Sequence, residues 1–143
     1  MIIEEEKGEL DKMNLNENRV FVLDCNRYEV NLIKEKLKEG LELWGGLENF
    51  VKPGQKVLLK ANLLMAKKPE EATTTHPAVV HAVAQMVEEV GAHPIIGDSP
   101  GGPFNKGMLN RVYNKTGMEA IAKTTGAELN WNFDSTSESF EEG

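Results

Sequence analysis

Cysteine is almost absent from this chain: Cys25 stands alone among 143 residues. That excludes an internal disulfide, and one cysteine cannot by itself form a zinc or iron–sulfur site, each of which needs several ligands. A surplus of positive charge is also missing. Sixteen Lys and Arg against 23 Asp and Glu leave a formal charge of −7, which argues against nucleic-acid binding, because phosphate contacts need clustered cations. The lysines that do cluster, Lys34, Lys36 and Lys38 among Glu35 and Glu39, and Lys67 with Lys68, read as solvated surface. No apolar run approaches the roughly 20 residues of a membrane-spanning helix. The amino terminus turns acidic through Glu4, Glu5 and Glu6 instead of offering the basic opening and apolar stretch of a secretory signal, so a cytoplasmic setting without membrane contact is expected.

What is present is the composition of a globular protein, 40% apolar and 27% charged, at a length that suits one domain. Residues 1–18 are rich in Glu, Lys and Asn without a sustained period and read as a mobile leader; residues 135–143 are Ser- and Glu-rich and read as a frayed tail. Between them, residues 19–134 alternate between strand and helix signals. Val20-Phe21-Val22-Leu23 predicts a strand buried on both faces, ending in Asp24-Cys25, with Cys25 as a packing residue. Val30, Ile33, Leu37, Leu41 and Trp44 form a helical stripe closed by Gly45-Gly46. After a turn at Lys52-Pro53-Gly54-Gln55, the run Val57-Leu58-Leu59 predicts a second strand, Pro77 to Val90 a helix opened by its proline, and Pro94 to Gly97 a third strand. Helices are expected over Asn105–Asn114 and Met118–Thr125, with a fourth strand within Glu128–Phe133. The pattern predicts a three-layer α/β fold with a mostly parallel sheet of about four strands and helices on both faces. A layer this small suggests the amino-terminal part of a larger fold.

Two polar signatures fall where parallel strands should surface, which is where open α/β sheets hold ligands. Lys60 and Asn62 flank Ala61 and should point to one side of the strand exit, where a cation and an amide can grip a carboxylate or phosphate; the plainer alternative is a lysine that reaches over to pair with Asp98. Thr73 to His76 precede Pro77, and Thr75 and His76 could offer hydroxyl and ring groups to an anion at a helix start, or simply cap the helix. Gly97-Asp98-Ser99-Pro100-Gly101-Gly102 could bring backbone at Gly101 and the Ser99 hydroxyl close to a ligand, with Asp98 as base or metal ligand; it could equally be a strand-exit turn. The spacing is neither a Walker loop nor a dinucleotide fingerprint. No histidine spacing suggests a metal site, although Asp98 and His76 could share an ion if the fold joined them.

On these residues the chain resembles the domain of unknown function 362 family, whose members are found in anaerobic bacteria and archaea and are often fused to a ferredoxin-like segment carrying [4Fe-4S] clusters. The likeness rests on Pro53 to Asn62, on Thr74-Thr75-His76-Pro77 and on Gly91-Ala92 leading to Gly97-Asp98-Ser99-Pro100; the family's typical proline is Ala61 here. The resemblance implies a redox-associated domain whose shared site is Lys60, Asn62, His76, Asp98 and Ser99, with no cofactor in this chain and any clusters in a fused or partner domain. Two readings follow. One is a domain binding a small anionic metabolite or cofactor at the carboxyl ends of its strands, with Asp98 as the catalytic group and Lys60, Asn62, Thr75, His76, Ser99 and Gly101 as binding residues. The other is a non-catalytic docking module for a missing carboxyl-terminal half or a ferredoxin-like partner.

Overall fold

The computed structural model describes residues 20–134 and Ser139. The leader and the tail expected from composition lie, Ser139 apart, outside the described residues. The first helix, α1 (Val30–Glu42), turns its apolar stripe inward at Ile33 and ends where the Gly46 N–H returns to the Leu41 carbonyl at φ +88°, a backbone conformation open to glycine at little cost. A turn in which the Gln55 N–H reaches the Lys52 carbonyl feeds β1 (Lys56–Lys60). Helix α2 (Pro77–Glu89) begins with Pro77, whose missing donor costs nothing in a first turn, and leads to β2 (His93–Gly97). Helix α3 (Lys106–Lys115) is opened by the Asn105 carboxamide oxygen accepting from the Met108 N–H, and α4 (Met118–Thr124) and the short β3 (Glu128–Leu129) follow.

The three strands form one sheet in the order β1-β2-β3, with both pairs parallel. Lys56 lies opposite His93 and Lys60 opposite Gly97, while Ile95 and Ile96 face Glu128 and Leu129. Pro94 is tolerated in the middle strand for a reason visible in the ladder. His93 and Gly97 bond toward β1, the first donating to the Gln55 carbonyl and the second accepting from the Ala61 N–H, whereas Ile96 accepts from Asn130 on the opposite side. The alternation puts Pro94 on the β3 side, below the point where that pairing starts.

One face of the sheet carries Val57, Leu59, Pro94, Ile96 and Leu129, and the core sits against it. Leu63, Ile96, Leu109, Val112, Tyr113 and Met118 form its buried centre, at 0–1% exposure each, joined by a smaller cluster of Val51, Val87 and Ala92. Burying one such side chain contributes about 1.5–3 kcal/mol. The other face bears Lys56, Leu58, Lys60 and His93, all exposed; Leu58 is 59% exposed. The arrangement is consistent with a three-layer α/β fold, with the Leu58 face left open by the described residues.

The sheet has three strands among the described residues, against the approximate four expected. The segment Val20–Leu23 is extended but pairs with none of them: Phe21 meets the Trp44 ring edge-on at 4.4 Å and the Leu23 side chain approaches Gly40, whereas Val20 and Val22 are 88% and 92% exposed. It lies on α1 and not in the sheet. Cys25, read as packing, is exposed, with its thiol 3.5 Å from the Arg27 carbonyl. His93 opens β2.

Candidate functional site

The alternation of β1 continues past its last ladder residue. Ala61 and Leu63 turn into the core at 4% and 0% exposure, which leaves Lys60 and Asn62 on the opposite, solvent-facing side. The strand exit is then tied to the approach of α2 by a reciprocal pair: the Asn62 N–H donates to Thr75 Oγ1 at 3.2 Å, and the Thr75 N–H donates to the Asn62 carbonyl at 3.0 Å. A glycine at position 97 suits the close approach here, since a Cβ would stand 3.0 Å from Asn130 Cβ and 3.1 Å from Leu58 Cδ1.

Asp98 leaves β2 beside this exit and spends both oxygens. Oδ1 lies 3.2 Å from Lys60 Nζ, and Oδ2 accepts from the Leu63 N–H at 2.7 Å. Its side chain is 8% exposed, that of Lys60 67%. Lys60 Nζ also donates to Asn62 Oδ1 at 3.2 Å. An ammonium has three donors; two are directed at Asp98 and Asn62, and one is left toward solvent beside the Asn62 amide NH2. The Gly101 N–H donates to the Leu64 carbonyl at 2.9 Å, pinning the glycine-rich loop to the same exit, and Ser99 is exposed on that loop.

His76 is the N-cap of α2, its Nδ1 accepting from the Ala78 N–H at 3.1 Å, which places the neutral ring's proton on Nε2. Tyr28 stacks on the imidazole, with ring centroids 3.7 Å apart and planes 11° from parallel. Thr74 Oγ1 is buried without a hydrogen-bond partner among the described residues. Lys60, Asn62, Thr75 and Asp98 therefore converge; Gly101 ties in through its backbone, His76 follows Thr75 but faces Tyr28, and Ser99 stands at the rim. Among the described residues no three His, Cys, Asp or Glu side chains form a group that could hold a metal ion.

Two participants escaped the sequence reading. Tyr113, 1% exposed on α3, sends its hydroxyl to the Asn130 carbonyl at 2.8 Å and stands near Asp98; burial first, and the Asp98 charge second, push its pKa up to about 12. Its place in the helical stripe gave a core signal, and only the tertiary fold shows where the hydroxyl goes. Tyr28 carried no signal beyond being aromatic beside a helix start.

A thylakoid-associated protein of Synechocystis sp. is 48% identical to this chain over 81 residues, which are 57% of the chain and 25% of that protein. The chain's match thus spans about a quarter of the length of that curated relative. No solved structure matches. No helix among the described residues is long and apolar enough to cross a membrane. The profile of the family described as Domain of unknown function (DUF362) matches residues 57–143, a stretch that holds β2, β3 and β1 from Val57 onward, with Lys60, Asn62, Thr75, His76 and Asp98, and the chain belongs to that family.

Proposed function

We propose that this domain binds a small oxyanion, a carboxylate or phosphate on a metabolite or cofactor, at the carboxyl ends of β1 and β2. The observation that supports this reading is the ammonium of Lys60, 67% exposed yet held in place by Asp98 and Asn62. A lysine fixed on two sides has already lost much of its rotamer freedom, so a ligand that takes its third donor adds little ordering cost. The Asn62 amide and the Ser99 hydroxyl would orient the ligand. Asp98, with both oxygens engaged, suits the task of aiming Lys60 better than that of moving a proton. An iron–sulfur partner in a fused or separate ferredoxin-like domain, an anaerobic role and a cytoplasmic setting belong to this reading on the family resemblance alone.

Calorimetric titration with inorganic phosphate and with malonate tests it. Lys60→Ala is expected to weaken binding at least tenfold, and Asp98→Asn to weaken it less, because the Leu63 bond survives while the ammonium is freed. Binding of both anions by both variants at wild-type strength would sink the assignment.

A second reading is favoured by the open Leu58 face and by the length of the relative: the domain docks a further part of a longer protein, with the Lys60 and Asp98 pair as a structural tie. In that reading the buried Asp98 carboxylate, shared between the Lys60 ammonium and the Leu63 N–H, braces the strand exit.

A further inference from the structure

A second hollow lies apart from the strand exits. The extended segment over residues 20–28 is fastened to α1 at one end, where Phe21 meets Trp44 and Leu23 meets Gly40, and to the start of α2 at the other, where Tyr28 stacks on His76. Between those fastenings it bridges a cleft of about 440 Å³, walled by Phe21, Leu23, Ile33, Leu37 and Val79. The size falls within the roughly 300–1,000 Å³ of small-molecule sites, and an apolar wall with few polar groups is their usual lining. The polar groups here are at the mouth: Cys25, Asn26, Arg27 and Lys36. The Arg27 guanidinium is 70% exposed and only loosely held, 3.8 Å from Glu29, whereas Lys36 bonds Glu39 at 2.7 Å. Asp24, next to the mouth, and Glu29, 3.8 Å from the guanidinium, are the acidic groups an anion would have to avoid or displace.

We infer that this cleft is a binding site for an amphipathic carboxylate, an acyl chain or aromatic body of about eight to ten carbons lying on Leu23, Ile33, Leu37 and Val79 with its anionic head at Arg27. The apolar wall selects the body, and the exposed, loosely paired guanidinium selects the charge. None of Lys60, Asn62, Asp98 or Ser99 lines the cleft, so the site stands independently of the oxyanion reading.

Backbone amide NMR with sodium octanoate, octanol and octylammonium as probes tests it. Octanoate is expected to give saturable shifts centred on Leu23, Cys25, Tyr28, Leu37 and Val79, octanol to bind more weakly, and octylammonium weakest. Val79→Trp fills the hollow and should abolish the octanoate shifts. Arg27→Gln, at an exposed position that folding does not need, should weaken octanoate at least fivefold and leave octanol unchanged. Lys60→Ala should leave octanoate binding as it is. The inference falls if octanoate gives no saturable shifts at millimolar concentration, if octylammonium binds as tightly as octanoate, if Arg27→Gln changes neither probe, or if Lys60→Ala removes octanoate binding.

Discussion

Tyr113 shows how much a single side chain carries here. Its hydroxyl closes the end of the sheet by bonding the Asn130 carbonyl, just past β3, from a helix whose other inward residues are purely apolar. Because its pKa is pushed from 10.0 up to about 12, chiefly by burial, the folded state resists losing that proton more than the unfolded chain does. A raised pKa contributes stability that is fully present below the unfolded value and disappears as pH rises through the folded one. Stability should therefore decline between pH 10 and about 12, by on the order of 2 kcal/mol. Urea melts across that window should show the loss, and Tyr113→Phe should flatten it while costing about 1 kcal/mol at neutral pH for the orphaned carbonyl. At this scale the sequence revealed which residues leave the strands and little about where they end. Lys60 and Asn62 could be placed on one side because alternation in a strand is local; that Asp98 would spend an oxygen on the Leu63 N–H depends on the path of a loop, for which no residue type is a signal.

Among the elements, α2 has the most at stake at its first turn. Pro77 sets the entry, His76 caps it, and the same imidazole is the floor on which Tyr28 lies, so one residue couples a helix start to the end of the extended segment. His76→Ala should cost about 1 kcal/mol for the cap and somewhat more for the lost ring contact. His76→Asn restores the cap without the ring, so in chemical denaturation the difference between the two variants isolates the cap and the difference between His76→Asn and the unaltered chain isolates the stack; equal stabilities of the two variants would show that the cap contributes nothing. Helices were legible because Val30, Ile33 and Leu37, or Val80, Val83 and Val87, repeat at a period that a chain can only satisfy by turning one side inward. The strand expected at Val20–Leu23 was half right for a physical reason. Its extended backbone is local and readable, but whether an extended run joins a sheet or lies on a helix is decided by a partner far away in the chain, and here Trp44 and Gly40 took the place of a neighbouring strand.

For the molecule as a whole, the uneven covering of the sheet is the dominant feature. The face with Val57, Leu59 and Ile96 is packed, while Leu58 stands 59% exposed between Lys56 and Lys60. Leu58→Asp is accordingly expected to change the stability of this chain by no more than about 0.5 kcal/mol, measured by thermal melting; a loss of several kcal/mol would mean that the face is covered after all. In a longer protein of the family, the same substitution should be costly if that face receives another part of the polypeptide, which is the measurement that separates the docking reading from the oxyanion reading. Pro94 has a consequence of its own. With a ring carbon where an amide hydrogen would be, it acts as a stop on the β3 flank: a strand arriving there and sliding two residues toward the start of β2 would find a carbonyl with nothing to receive it from. The two-residue β3 is thereby barred from sliding toward the start of β2, and the bond from the Asn130 N–H to Ile96, beside the carbonyl that Tyr113 holds, is guarded on that side by an atom the backbone does not have.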